Sequence, residues 1–198
     1  MDLNDIRENY KNFDDYKIEK IASEEAGSLR PEVIDILKDE IKRRNLNPNL
    51  LKSVESQTRE LTEAEFNEYC DILRKHPCPK CNSKTNKINV TMVGRVVSML
   101  VLTNYEKSLK VACSDCLDEF HKKANIKSAL LGWWGIPWGP IQTTRSFIFN
   151  SSMKKNNRTE KPSEIFLGFV LANFGVLEAS KGNPEKLTEF LNRTNNKV

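Results

Sequence analysis

Two cysteine pairs constrain this chain more than any other feature in it. Cys78-Pro79-Lys80-Cys81 and Cys113-Ser114-Asp115-Cys116 are both C-x2-C units, and 31 residues separate them. A two-residue gap lets one tight turn present two thiolates to a single ion, with Zn–S bonds of about 2.3 Å. Pro79 pre-sets the first turn, and Asn82, just after it, tolerates the left-handed backbone often needed there. The spacing predicts a Zn2+ site with Cys78, Cys81, Cys113 and Cys116 as ligands. A closed four-sulfur shell leaves no position for water, which argues for a structural role over a catalytic one. A redox dithiol fits less well, since no βαβ pattern surrounds either pair. Four thiolates around a divalent ion leave two negative charges, and Lys80, Lys84, Lys87, Lys122 and Lys123 lie near enough in sequence to offset them. The fifth cysteine, Cys70, reads as a small buried hydrophobe. His76 and His121 are the only histidines. Both read as surface residues or as supports around the site, because the four-cysteine set is complete without them.

The flanks of this centre differ in character. Leu3, Ile6 and Tyr10 suit a short first helix, and residues 14–25 a second with Asp14 as N-cap. Pro31 opens a third, in which Val33, Leu37 and Ile41 share a face and Lys42-Arg43-Arg44 meet the dipole's negative end. Asn47-Pro48 marks a turn or cap. Thr62 to Glu65 forms a capping box ahead of Phe66, Tyr69, Cys70 and Leu73. From residue 78 the period changes to two: Ile88, Val90 and Met92 alternate, as do Leu109, Val111 and Cys113, with the apolar run Val96 to Leu102 between them. Residues 117–128 look helical or irregular. Residues 151–162 read as a polar connector, 162–180 as a helix apolar nearly all round, and Asn183-Pro184 as the start of a last helix. The expected fold is therefore α+β: a helical N-terminal region (1–75), a small antiparallel zinc ribbon (76–125), and a Trp/Gly-rich segment with a C-terminal helical hairpin (126–198).

All three tryptophans lie in one stretch, ALLGWWGIPWGPI, at Trp133, Trp134 and Trp138. Its glycines and prolines disfavour a regular helix. Its 13 apolar residues fall short of the roughly 20 that span a bilayer. Two readings follow. The indoles pack as core over the ribbon and the apolar C-terminal helix, or they sit at an interface with that helix as a second insertion element. In the second case Arg145, Lys154 and Lys155, with Arg158 and Lys161, would favour anionic lipid heads. Stacking on nucleic-acid bases is a further use of the same rings. The pairing of a double C-x2-C with LLGWWGIPWGPIQT, over about residues 78–150, resembles a set of uncharacterised bacterial zinc-ribbon-like proteins that carry a G-W-W-G-x-P-W-G element and are often described as possible membrane proteins. That resemblance implies a shared fold and brings no catalytic residues. This chain departs from the pattern with Asn82 and Leu117 where a glycine often follows each pair.

Charge narrows the function classes. The net charge is only +4 over 198 residues, so nothing in the total demands nucleic acid. Residues 1–76 carry 13 basic and 18 acidic side chains, whereas 77–128 carry 9 and 4. The start, MDLNDIRENY, has neither the basic nor the apolar part of a signal peptide, which predicts a cytoplasmic protein, free or associated with the inner face of the membrane. No phosphate-binding loop, nucleophile elbow or H-E-x-x-H motif is present. The paired acids Glu24-Glu25, Asp39-Glu40 and Glu63/Glu65 fit exposed helix faces. The sequence thus points to a non-catalytic, zinc-stabilised interaction module that docks a membrane surface, a protein partner or another copy of itself through its Trp-rich half. A nucleic-acid-binding zinc ribbon and an enzyme assembled from distant residues are the alternatives.

Overall fold

The structure, a computed structural model, describes residues 2–58, 61–100 and 102–196. Among the described residues it contains nine α-helices and one two-stranded antiparallel sheet, so the chain is α+β. It divides into two compact units, Met1–Tyr69 with Val170–Leu187, and Cys70–Phe169 with Thr188–Val198. Each unit draws on two separate stretches of chain, where three consecutive segments were expected.

The first unit holds α1 (Leu3–Asn12), α2 (Asp15–Lys20), α3 (Pro31–Arg43) and α4 (Asn49–Thr58). Their periodic apolar faces meet in a core of Ile18, Leu37, Ile41, Leu50 and Val54. Asp14 caps α2, accepting from the Lys17 amide at 2.7 Å. Residues 14–25 are not one α-helix, however, because a π turn over Ile21–Glu25 follows α2. The Ala22 carbonyl there is satisfied from outside, by Gln57 Nε2 at 2.8 Å and Ser53 Oγ at 3.1 Å. Arg44 reaches away from its own helix and donates to the carbonyls of Phe13, Tyr10 and Lys11 at 2.7–2.9 Å, closing the end of α1. Glu40, expected on an exposed face, is buried and bound by Arg43 and Arg44. An acid at that position is tolerable in the interior because both guanidinium groups are within hydrogen-bond reach. The capping box forms at the head of α5 (Glu63–Lys75): the Glu65 amide donates to Thr62 Oγ1 at 3.3 Å, and the Thr62 amide to Glu65 Oε2 at 3.1 Å.

The second unit is built on a long hairpin. Strands β1 (Ile88–Met99) and β2 (Leu102–Cys113) pair in register from Ile88 opposite Cys113 to Met99 opposite Leu102. The expected intervening run, Val96 to Leu102, is therefore mostly strand, and Val101 within it lies outside the described residues. Helices α6 (Ser114–Leu131) and α7 (Trp138–Lys154) pack on β1.

A two-stranded sheet has two open edges, and an open edge invites pairing with another chain. A side-chain amide takes up one residue on each strand. Asn150 Oδ1 accepts from the Gly94 amide at 2.7 Å while its Nδ2 donates to the Gly94 carbonyl at 2.8 Å. On β2, Asn195 does the same for Val111, at 2.7 and 2.8 Å. Gly94 leaves room for two rings, since a Cβ there would come to 3.0 Å from Tyr105 and 3.1 Å from Phe149 and would press both aside.

The expected connector at 151–162 is in part the end of α7, which runs to Lys154 before a short 3-10 turn, Lys155–Arg158. Helix α8 (Glu164–Ala179) buries Phe166, Phe169, Val170, Val176 and Leu177. Leu171 on the same helix is 57% exposed, and the helix bends at Asn173. Asn183 Oδ1 accepts from the Lys186 amide at 3.1 Å and caps the last helix, α9 (Pro184–Asn196). Among the described residues no helix is long and apolar enough to cross a membrane.

Candidate functional site

The four cysteines of the two pairs converge. Their sulfurs all lie within 4.8 Å of one another, and Cys81 and Cys113 are 3.7 Å apart. A tetrahedron with bonds of about 2.3 Å to a central ion spaces its sulfurs by about 3.8 Å, whereas a disulfide needs about 2.05 Å. The cysteines are free thiols, and Cys78, Cys113 and Cys116 are buried. The arrangement can hold one metal ion.

Local chain geometry explains how each pair is presented. In the first, the Asn82 amide donates to the Cys78 carbonyl at 2.7 Å, the Cys78 amide to Ser83 O at 2.9 Å, and Asn82 takes the expected left-handed conformation at φ 56°. The second pair does not sit on a second β-knuckle, as a zinc ribbon would have it. Cys113 ends β2 and is the N-cap residue of α6, and Cys116 lies in that helix's first turn. The fully buried Leu117 continues the helix inward, so no glycine is needed after this pair. The helix N-terminus also favours negative charge at Cys113 and Cys116.

Backbone donors tune the first sulfur. Burial raises the Cys78 thiol, but amides of Cys113, Cys81 and Lys80 outweigh it and bring its pKa to about 7. Burial pushes the Cys113 and Cys116 thiols up, so those two need an ion to become thiolates near neutrality. Around the cluster, Lys80 and Lys123 both pair with Glu119, at 2.5 and 2.7 Å, which holds that carboxyl down at about 2. Part of the expected lysine compensation is thus spent on a neighbouring acid. Neither histidine joins the cluster, and neither is on the surface. His121 is buried with Nε2 3.3 Å from Thr91 Oγ1, and His76 is buried with Nδ1 2.8 Å from the Pro77 carbonyl. Cys70 is buried, as expected, and burial raises its thiol.

The tryptophans stand at the opposite end of the hairpin, and the reading of them as core is overturned. Trp133 is 44% exposed, Trp138 58% and Trp134 70%. The glycines between them face inward instead. A Cβ on Gly132 would collide with Thr143 Oγ1, one on Gly135 with Thr103 Oγ1, and one on Gly139 would sit 2.6 Å from the Gly132 carbonyl. Small residues therefore close the α6–α7 corner from within, and the large ones are left outside. Ser98 Oγ donates to the Gly132 carbonyl at 2.8 Å and tethers this corner to the end of β1.

That tether places a second group of apolar side chains beside the first. Met99, Leu100 and Leu102 at the hairpin end are 74%, 83% and 75% exposed. Leu130, Leu131, Ile136 and Ile141 are exposed as well. Sequence reasoning overlooked these. The signal was the run Val96 to Leu102, too apolar for an ordinary hairpin turn. Leu100 also adopts φ 51°, a conformation that Gly or Asn reaches at less cost.

Of the expected basic contacts, Arg145, Lys154 and Lys155 are all exposed. Arg145 lies two turns past Trp138, but Lys154 is about 24 Å along the helix axis from it. Lys127, one turn before Leu131, is nearer the tip in chain than either. From residue 120 to 159 there is no acidic side chain, while Lys122, Lys123, Lys127, Arg145, Lys154, Lys155 and Arg158 are basic.

Comparison with protein-family models, with curated proteins and with solved structures returns no match.

Proposed function

We propose that this protein is a non-catalytic, zinc-stabilised module that docks on an anionic membrane surface through the tip of its second unit. Zn2+ is the fitting ion for four thiolates with tetrahedral spacing. It would clamp the base of the hairpin, and the hairpin would present Met99, Leu100 and Leu102 beside Trp133, Trp134, Ile136 and Trp138. The observation that carries the reading is this exposed apolar end, beside residues 120–159, which carry seven basic and no acidic side chains; two of the seven, Lys123 and Arg158, pair with acids in the first half of α6. Trp134 supports a lipid-facing role in particular. Its Nε1 already donates to the Leu130 carbonyl at 2.9 Å, so the ring can enter an apolar phase without stranding a donor. A protein groove would accept the same apolar tip, but would not by itself account for the absence of acids along its flanks.

The test is co-sedimentation with vesicles of phosphatidylglycerol and phosphatidylcholine, read together with tryptophan emission. Binding with a blue shift is expected, stronger with more phosphatidylglycerol and only partly weakened by salt. Trp134→Ala should weaken it about thirtyfold, the worth of roughly 2 kcal/mol of lost apolar burial. Emission unchanged by vesicles would reject the membrane reading. Tight binding to nucleic acid that vanishes steeply with salt would support the nucleic-acid alternative instead.

A further inference from the structure

We propose that a polar cleft beside the start of α6 binds one hydrogenphosphate ion. The cleft holds about 320 Å³, at the small end of the roughly 300–1,000 Å³ range of ligand sites. It lies within the second unit, where Arg74 near the end of α5, the loop before β1, Ser114 and the turn from Asn157 to Glu160 meet. Hydrogen bonds fix these walls to one another. Asn89 Nδ2 donates to the Asn156 carbonyl at 2.9 Å, and Arg74 Nη2 to the Glu160 carbonyl at 3.0 Å. Asn86 Nδ2 donates to Asp115 at 3.0 Å, which joins the loop to the first turn of α6. Ser114 is the first residue of α6, and the N-terminus of such a helix favours negative charge.

Two buried residues of the lining each have an unanswered polar atom, and the two atoms are of opposite kinds. Arg74 is 8% exposed, and its Nη1 has no hydrogen-bond partner among the described residues. Its side chain meets the Glu160 carbonyl and the Phe166 ring but forms no ion pair among the described residues. Asp71, one turn earlier on α5, is already bound by Lys75 at 2.8 Å. A guanidinium buried without an acid is costly unless an anion answers it. Asn157 is 3% exposed, and its Oδ1 is likewise without a partner. Its Nδ2 donates to Asp118 at 2.9 Å, which fixes the oxygen as the open end of the amide. Surplus charge is not what selects the ligand: Arg158 is spent on Asp115 and Asp118, both at 2.9 Å, and Lys87 stands 3.6 Å from Glu160, a side chain 94% exposed. A ligand that answers both buried groups must accept from Arg74 and donate to Asn157. Hydrogenphosphate does both near neutral pH, with anionic oxygens and one O–H, whereas sulfate has no proton to give. The assignment does not rest on membrane docking, because no residue of the apolar tip lines the cleft.

The experiment is calorimetric titration of the full-length protein, in phosphate-free buffer near neutral pH, with phosphate, sulfate and glycerol phosphate. Phosphate is expected to bind at one site per chain and to raise the melting temperature. Sulfate should bind at least about tenfold more weakly, because one of its oxygens would face Asn157 Oδ1 with no hydrogen between them. Glycerol phosphate, a monoester that has lost most of its P–OH near neutral pH, should also bind more weakly. Arg74→Met keeps a stem over Phe166 and should abolish phosphate binding. Without phosphate its melting temperature should match or exceed that of the parent protein, since an unanswered buried charge has been removed. Lys87→Glu, an exposed change, should weaken phosphate binding about tenfold and leave vesicle docking as it was. Phosphate that neither binds nor raises the melting temperature would overturn the proposal, as would equal affinity for sulfate or binding that survives both variants. Tighter binding of glycerol phosphate would overturn the assignment to the free ion, because the cleft would then be reading an ester.

Discussion

Removing the metal should unfold the base of the hairpin, and the size of the effect follows from what surrounds the sulfurs. Among the described residues, the cluster around the sulfurs holds Ala112 and Leu117 besides cysteines, with Phe120 packed against it half-buried. Burying those side chains is worth about 5 kcal/mol in total at roughly 1.5–3 kcal/mol for each large one. Fixing the backbone of the two cysteine pairs, eight residues from Cys78 to Cys81 and Cys113 to Cys116, costs more than that at about 1–2 kcal/mol per residue. A four-thiolate zinc site supplies an apparent 10–16 kcal/mol, enough to decide the balance, whereas whole domains are stable by only about 5–15 kcal/mol. Chelation at neutral pH, or Cys78→Ser or Cys113→Ser, should therefore lower the melting temperature by more than about 20 °C and expose the amides of Val90 and Val111 to hydrogen exchange. Elemental analysis of the untreated protein should give about one zinc per chain. A protein that carries no metal and melts cooperatively, unchanged by chelator and by both substitutions, would refute the reasoning.

Three other outcomes follow from contacts away from the metal. Asn150→Ala strips the Gly94 amide and carbonyl of their partners and frees Asn125, which it also bonds at 2.6 Å; a loss of about 3 kcal/mol or more is expected in urea unfolding. Gly132→Ala drives a methyl into Thr143 and to 2.5 Å from the Ser128 carbonyl. It should cost about 1–3 kcal/mol and weaken vesicle binding although no apolar side chain is lost. Arg44→Ala opens the end of α1 and leaves buried Glu40 with Arg43 alone, for about 3–5 kcal/mol. Hydrogen bonding to Arg43, opposed by burial and joined by Arg44, holds the Glu40 carboxyl below its ordinary value. Its stabilisation is thus complete above the unfolded value of about 4.3 and is lost as pH falls through the lower folded one, so Glu40→Gln should flatten that part of the acid unfolding curve.

Periodicity and spacing carried far in this chain where the determinant was local. Pro31, Asp14, Asn183 and the Thr62–Glu65 box mark real helix starts, because a cap acts within one turn of its own residue. The cysteine set was legible because a two-residue gap has few structural uses besides a shared ligand. What spacing could not say was that the second pair begins a helix. That depends on Leu117 and Phe120 finding a core, which is a tertiary fact. Asn150 and Asn195 were invisible for the same reason. An asparagine that bonds a strand 56 or 84 residues away leaves no local signature. Arg44 looked like the end of its own helix and serves another. For the tryptophans the sequence left core and contact surface both open, because large apolar residues are usually core. The spacers favoured contact: glycines at 132, 135 and 139 stand among them, and two sets of residues cannot both face inward.

That inversion bears on why a metal is needed at all. Met99, Leu100, Leu102, Trp133, Trp134, Ile136, Trp138 and Ile141 are all exposed, and none of them contributes fully to the core. At about 1.5 kcal/mol or more each, they represent on the order of 12 kcal/mol of apolar burial absent from the second unit, a sum comparable with what a four-thiolate zinc site provides. A fold that displays its best core formers must be held from elsewhere, and here the candidate anchor is at the other end of the same hairpin. The consequence is testable without any ligand. Trp134→Ser and Leu100→Ser, alone and together, should leave the unfolding free energy of the metal-loaded protein within about 0.5 kcal/mol of its starting value. Leu100→Gly should raise it slightly, by relieving the left-handed backbone at φ 51°. A loss of several kcal/mol in the serine variants would mean that these side chains are packed in solution, and the docking face would have to be sought elsewhere.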